Sequence, residues 1–251
     1  TLTLNRPTAR NAFSDAMLAD WAAGLRECQA NDAVKVVVLC ARGRTFCAGG
    51  DINTMTWGDA DGGNAALEMK RYLTGHVYPV AYAVEALEKP YIVAVQGAAT
   101  GAGMDMALYG DVRFAARSAS FAETYVKVGM APGDGGGWLL PRLVGLNKAL
   151  ELLWTGDFLS AAEAKELGIV NRVVDDEALM AETFDFAARL ANGPSMAIQL
   201  IKRTVYQSAH LGLRDALETV SSHMGVLAGT ADHREAVNAF LEKRPPRFRG
   251  C

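Results

Sequence analysis

Two β-branched runs frame this chain. "VKVVVLCA" at residues 34–41 and "YIVAVQG" at 91–97, set off by Pro90, each read as a mostly buried strand. Shorter strand candidates follow at 111–115 ("DVRFA"), 119–123 ("ASFAE") and 168–174 ("GIVNRVV"), and the alternation at 1–4 reads as a chain that opens inside a strand. Helical stretches lie between them. One covers 14–29 behind a Ser14 cap, one covers 65–87 and ends before Lys89-Pro90, and one covers 160–167. The last opens with the capping box "SAAE" and stops at Gly168. Strands alternating with helices predict an α/β fold.

After Asp175 the strands cease, and four helical segments follow at 176–191, 195–210, 213–227 and 232–243. The chain therefore divides into a strand-containing core over 1–191 and a helical region over 192–251. The joint is "LANGPS", where Gly193-Pro194 stops one helix and Pro194 can begin the next. With 251 residues, half of them hydrophobic, there is ample material for a core. A net charge of −3 argues against nucleic-acid binding by bulk electrostatics. No apolar run reaches the ~18–20 residues of a membrane span, and no signal peptide is visible. Four cysteines without CxxC spacing read as free thiols of a reducing compartment, the cytoplasm. Four histidines without HExxH give no reason to expect a metal. No phosphate loop of the GxxxxGK(S/T) class and no GxSxG elbow is present, and no GxGxxG follows a strand, the last of which argues against a dinucleotide-binding domain.

Two bare turns remain. "FCAGGDI" lies a few residues past the first strand, and "GAATGAGMD" directly follows the second. Small side chains leave backbone N–H groups open to a ligand, and a strand-to-helix turn aims them outward with the helix dipole behind. Two such turns can stabilise one oxyanion, at ~2.7–4 kcal/mol per donor in the transition state. Glycine and alanine also serve plain tight turns and close packing, so composition alone leaves both readings open.

Five stretches in order carry a resemblance: "LNRPTARNAFS", "RTFCAGGDI", "KPYIVAVQGAATGAGMDMALYGDVRFA", "FAETYVKVGMAPGDGGGWLLPRLVG" and "TGDFLSAAEAKELGIVNRVV". The set resembles the crotonase superfamily, the enoyl-CoA hydratase/isomerase family, from Leu2 to "FLEKRPPRFRG". The resemblance implies a spiral core of ββα turns, C-terminal helices that trimerise, and trimers that can pair into hexamers. It implies an acyl-CoA thioester as substrate, with coenzyme A part of that substrate and no separate cofactor. The N–H groups of Ala48 and Ala102 match the oxyanion hole. Arg10, Ala12, Ala48, Gly50, Asp51 and Ile52 match positions that hold CoA. Lys243, Arg244, Arg247 and Arg249 in the tail stand where a CoA phosphate can be approached.

The catalytic pattern departs from the family at two places. Hydratases of this kind set two glutamates around a water. Asp105, shorter by a methylene, matches one, and Tyr125 matches the other. With a reference pKa of ~10, a tyrosine is a hydrogen-bond donor or acid at neutral pH rather than a base. Glu123 precedes Tyr125 by two residues, so in an extended "FAETY" both side chains leave one face and Glu123 can serve for the missing glutamate. Asp134, in "PGDGGGW", either caps the helix that starts near Gly136 or moves a proton, as an Asp near this turn does in related enzymes. His76 and Tyr72, four apart on the segment after the 59–64 loop, are expected to line the acyl pocket rather than react.

The resemblance implies an enoyl-CoA hydratase-type enzyme working through an enolate. The alternatives are double-bond isomerisation, a specialised hydrolase, decarboxylase or lyase, and a non-catalytic acyl-CoA-binding subunit.

Overall fold

The computed structural model describes residues 1–51 and 64–251. Five strands form one parallel sheet in the order β1 (Leu2–Leu4), β2 (Val37–Ala41), β3 (Tyr91–Val95), β5 (Val112–Ala116) and β8 (Arg172–Val174). A second sheet holds β4 (Ala98–Thr100), β6 (Ser120–Ala122) and β7 (Leu159–Ser160). The chain visits both sheets in each turn of a spiral: β3 continues into β4, and β5 into β6, with each pair parallel to its neighbour. Beyond β2 the same turn is marked by a single parallel bridge from Cys47 to Ala99. β3 is buried along its whole length, which is why its sequence carries no polar alternation.

Helix α1 (Asp15–Ala30) starts at Ser14, whose side chain accepts from the Met17 N–H. The stretch read as one helix over 65–87 is three pieces: α2 (Ala65–Tyr72), a π-helical turn (Leu73–Val77) and α3 (Tyr78–Glu85). Pro79 brings no N–H to the start of α3, and the Tyr78 N–H reaches back five residues to the Leu73 carbonyl, so the ladder slips by one there. "GAATGAG" is not all turn: it contains β4, then Gly101 at φ +51, then α4 (Ala102–Leu108).

Helices α5 (Gly136–Val144) and α6 (Leu146–Thr155) come next, α6 lying outside the stretches that the sequence marked. In α7 (Ala161–Glu166) the Ser160–Glu163 capping box is present in both directions. The strand expected over 168–174 shrinks to β8, because the Ile169 and Val170 N–H groups both donate to the Ala164 carbonyl and close α7. Helices α8 (Leu179–Ala191), α9 (Ser195–Ser208), α10 (Leu213–Ala228) and α11 (Ala231–Leu241) complete the chain. Among the described residues no helix is long and apolar enough to cross a membrane.

The two bare turns are locked together by backbone. Cys47 N–H donates to the Ala98 carbonyl at 3.1 Å, and Thr100 N–H to the Cys47 carbonyl at 3.0 Å. This approach requires Gly103, where a methyl group would collide with the Cys47 carbonyl. Alanine in a helix ordinarily stabilises by ~1 kcal/mol over glycine. Gly103→Ala is expected instead to destabilise by about 1–3 kcal/mol, read as a lower denaturant midpoint at unchanged slope.

Candidate active site

Three segments bring their carboxyl groups to one wall. α4 contributes Asp105, wholly buried in the fourth position of a helix whose residues are all buried. The turn after β6 contributes Glu123 and Tyr125. The loop ahead of α5 contributes Asp134. Tyr125 donates its hydroxyl to Asp105 Oδ2 at 2.8 Å, and the Asp134 N–H donates to the same oxygen at 3.2 Å.

The route by which Glu123 and Tyr125 reach the site differs from the extended strand that the sequence suggested. β6 ends at Ala122, and residues Thr124–Val128 form a 3-10 turn. Glu123 is nonetheless buried against Asp105 rather than facing solvent. Gly136 makes this possible, since a methyl group there would collide with Asp105 Oδ1 and sit 3.0 Å from Glu123 Oε1. Asp134 does not cap α5: the capping residue is Gly135, and no side chain serves the helix start. Gly135, at φ +120, is pressed against the Tyr109 hydroxyl.

Burial governs the ionisation of every member. It pushes Asp134 up to about 7, with the Asp105 charge adding and the nearby Tyr125 side chain opposing. It also raises Asp105, opposed by the Tyr125 hydroxyl and the Asp134 N–H that donate to it. Burial and then Asp105 lift Glu123 to about 10 and hold Tyr125 well above an ordinary phenol. Tyr125 is thus a proton donor in a hydrogen bond, and Asp134 is the carboxyl that titrates near neutrality.

The backbone donors are rearranged relative to expectation. The Ala48 N–H donates to the Arg10 carbonyl at 3.0 Å, so it is not open to a ligand. No acceptor among the described residues takes the N–H of Gly50 or of Ala102. The two turns adjoin at this point: Gly49, at φ +84, lies where a methyl group would sit 3.0 Å from the Ala102 nitrogen. Ala102 and Asp105, three residues apart on α4, share one helix face.

Of the residues matched to CoA, Ile52 lies outside the described residues. Arg10 is exposed with φ 52, Ala12 is buried, and Asp51 pairs with Arg6 at 3.6 Å. Arg6 and Asn11 were not singled out in the sequence, although both sit in the "LNRPTARN" motif. Asn11 is buried, accepts the Arg6 N–H at 2.8 Å and donates to the Arg42 and Thr45 carbonyls at 2.9 and 2.8 Å. It shapes the turn that presents the Arg10 carbonyl to Ala48. His76 and Tyr72 stack with ring centroids 5.4 Å apart, and neighbouring Leu73 lies 3.6 Å from where a Gly133 methyl would sit. That segment therefore borders the Asp134 loop. In the tail, Arg244 is held by Glu235 and Glu242, each at 2.6 Å. The Arg247 and Arg249 N–H groups donate to Glu235 and Asp232.

The chain and its fold are similar to those of known proteins. The family model described as enoyl-CoA hydratase/isomerase matches residues 1–251. The chain is 38% identical to 1,2-epoxyphenylacetyl-CoA isomerase of Escherichia coli (strain K12), covering 100% of this chain and 94% of that protein. It is 34% identical to crotonyl-CoA hydratase of Syntrophomonas wolfei, covering 98% and 93%. The crystal structure of an enoyl-CoA hydratase from Bacillus anthracis superposes with a TM-score of 0.92 at 32% identity, covering 99% and 94%.

The Asp134 shift has a sign that can be measured. The folded chain holds this proton above the pH at which an exposed aspartate releases it, so the contribution is present below about 4 and is lost as pH rises through about 7. Asp134→Asn is expected to flatten that part of the stability–pH curve, as read by denaturant unfolding at a series of pH values.

Proposed function

The chain belongs to the enoyl-CoA hydratase/isomerase family, within the crotonase superfamily, and from that premise we propose that it hydrates an enoyl-CoA thioester through an enolate, with Asp134 moving the proton. The hydratase reading fits its relatives, and isomerases stand among them as well.

The observation that carries the proposal is the Asp105–Tyr125–Asp134 cluster on the face of α4 that begins with the Ala102 N–H. The thioester oxygen lies against the N–H groups of Ala102 and Gly50, which stabilise the charge it gains as the enolate forms. Gly50 takes this role in place of Ala48, whose donor is already engaged. Water held by the carboxylates gives its proton to Asp134 while its oxygen bonds to the β-carbon, and that proton then passes to the α-carbon. Asp105, ionised and fixed by Tyr125, favours the charge arrangement in which Asp134 keeps and returns a proton near neutrality.

A second reading, double-bond isomerisation, is favoured by one specific feature. Tyr125 stands where a second glutamate would work and is bonded to Asp105, which leaves Asp134 as the carboxyl that titrates near neutral pH. A 1,3-proton shift needs one such group. Coenzyme A enters as part of the substrate in both readings.

Absorbance distinguishes the two when crotonyl-CoA and a 3-enoyl-CoA are each supplied as substrate. Hydration removes the conjugated enoyl signal, whereas isomerisation of a 3-enoyl-CoA creates it. Asp134→Asn is expected to lower kcat by about 10²–10⁴-fold in the reaction that proceeds. Rates should climb with pH through about 7 in the native enzyme and lose that limb in the variant. Turnover unchanged in Asp134→Asn would sink the assignment, and binding without turnover across enoyl-CoAs would move the chain to a non-catalytic acyl-CoA-binding role.

The C-terminal helices support assembly into a homo-oligomer, a trimer or a pair of trimers. Ile201, Val205, Leu213, Leu217, Phe240 and Leu241 are each more than half exposed there, and apolar exposure on this scale calls for a covering partner. Four unpaired cysteines fit a reducing compartment such as the cytoplasm. Sedimentation at micromolar concentration is expected to give the mass of a trimer or hexamer, and a monomer would contradict it.

A further inference from the structure

Three buried carboxylate oxygens in the site wall have no hydrogen-bond partner among the described residues: Asp105 Oδ1, Glu123 Oε1 and Glu123 Oε2. Buried polar atoms left unpaired are costly, and three together call for an explanation. The Asp105 and Glu123 oxygens face each other across Gly136, which has no side chain to separate them. The groups around Glu123 are Asp105 on α4, Tyr125 in its own turn and Asp134 ahead of α5. The Lys127 ammonium in that turn lies over the Phe158 ring instead, 5.3 Å from its centroid. Among the described residues no cation pairs with Glu123. Two adjoining buried carboxyls without a cation cannot both ionise, so they hold one proton between them.

Asp105 Oδ2 already receives two donors, the Tyr125 hydroxyl and the Asp134 N–H, whereas neither Glu123 oxygen receives any. The negative charge therefore settles on Asp105 and the proton on Glu123. We propose that Glu123 is a positioning residue: it stays protonated and donates its carboxyl hydrogen to Asp105 Oδ1, fixing Asp105 as an oriented anion beneath the reacting carbons. Burial and the Asp105 charge act on Glu123 in the same direction. The role in turnover rests on the reading of Asp105 as part of the catalytic cluster. The location of the proton does not.

Two variants and one spectrum test this. In Glu123→Gln the amide N–H replaces the acid O–H as donor to Asp105. In Glu123→Leu the volume remains and the donor is lost. At neutral pH the infrared difference between the native protein and Glu123→Gln is expected to show the carbonyl band of a protonated carboxylic acid. A carboxylate band in its place would overturn the proposal, and this arm needs no turnover, so it stands apart from the reading of the reaction. In kinetics, Glu123→Gln is expected to keep kcat within about threefold, while Glu123→Leu loses roughly tenfold or more in kcat at unchanged KM. A Glu123→Leu enzyme with native kcat and pH profile would reduce Glu123 to a filler. Equal losses in both variants would show that Glu123 itself must ionise, and would overturn the proposal.

Discussion

The backbone clasp between Cys47 and the segment 98–100 is the constraint on which the rest of the site depends. Two hydrogen bonds, which together make one parallel bridge, join the turn after β2 to the strand after β3. Gly49 and Gly103 are bare because each backbone lies against the other turn. With the clasp closed, the Gly50 and Ala102 N–H groups fall on neighbouring turns. The first residues of α4 are then fixed, and Asp105 is carried to the wall where Tyr125 and Asp134 meet it.

Electrostatics then follow from burial. A wall with four titratable side chains and no paired cation among the described residues cannot hold four charges. It orders them instead: Tyr125 keeps its proton, Asp105 receives two donors, and Asp134 is left near neutrality. The departures from the family's glutamate pair thus form one consistent set. Shortening a glutamate to Asp105 leaves room for the longer tyrosine that is hydrogen-bonded to it, and the proton-moving task proposed above falls to a residue from the next loop.

Much of this was legible in the sequence. Apolar runs marked β2 and β3, Ser14 and the Ser160–Glu163 box marked two helix starts, and the bare turns marked the backbone donors. What failed depended on long-range partners. Ala48 looked as free as Gly50 until the left-handed turn at Arg10 and Asn11 brought a carbonyl to it from 38 positions away in the chain. The "FAETY" segment had the residue types of a strand, but β6 stops after three residues and the chain tightens at Thr124. No local pattern showed that Pro79 shifts the ladder between α2 and α3, or that Asp134 leaves its own helix uncapped.

The spiral has a consequence for how the protein tolerates change. The two sheets are stitched by main chain at Gly97, whose φ of +67 folds the strand over where a side chain would strike the Arg44 carbonyl. The spacing between layers at that seam is therefore set by peptide units, while the filling of β3 is set by side chains. Trimming methyl groups from Ile92 or Val93 loosens the interior but leaves the seam and its N–H donors where they are. A chain built this way can lose much of its thermal margin while the register of its open backbone donors stays unaltered.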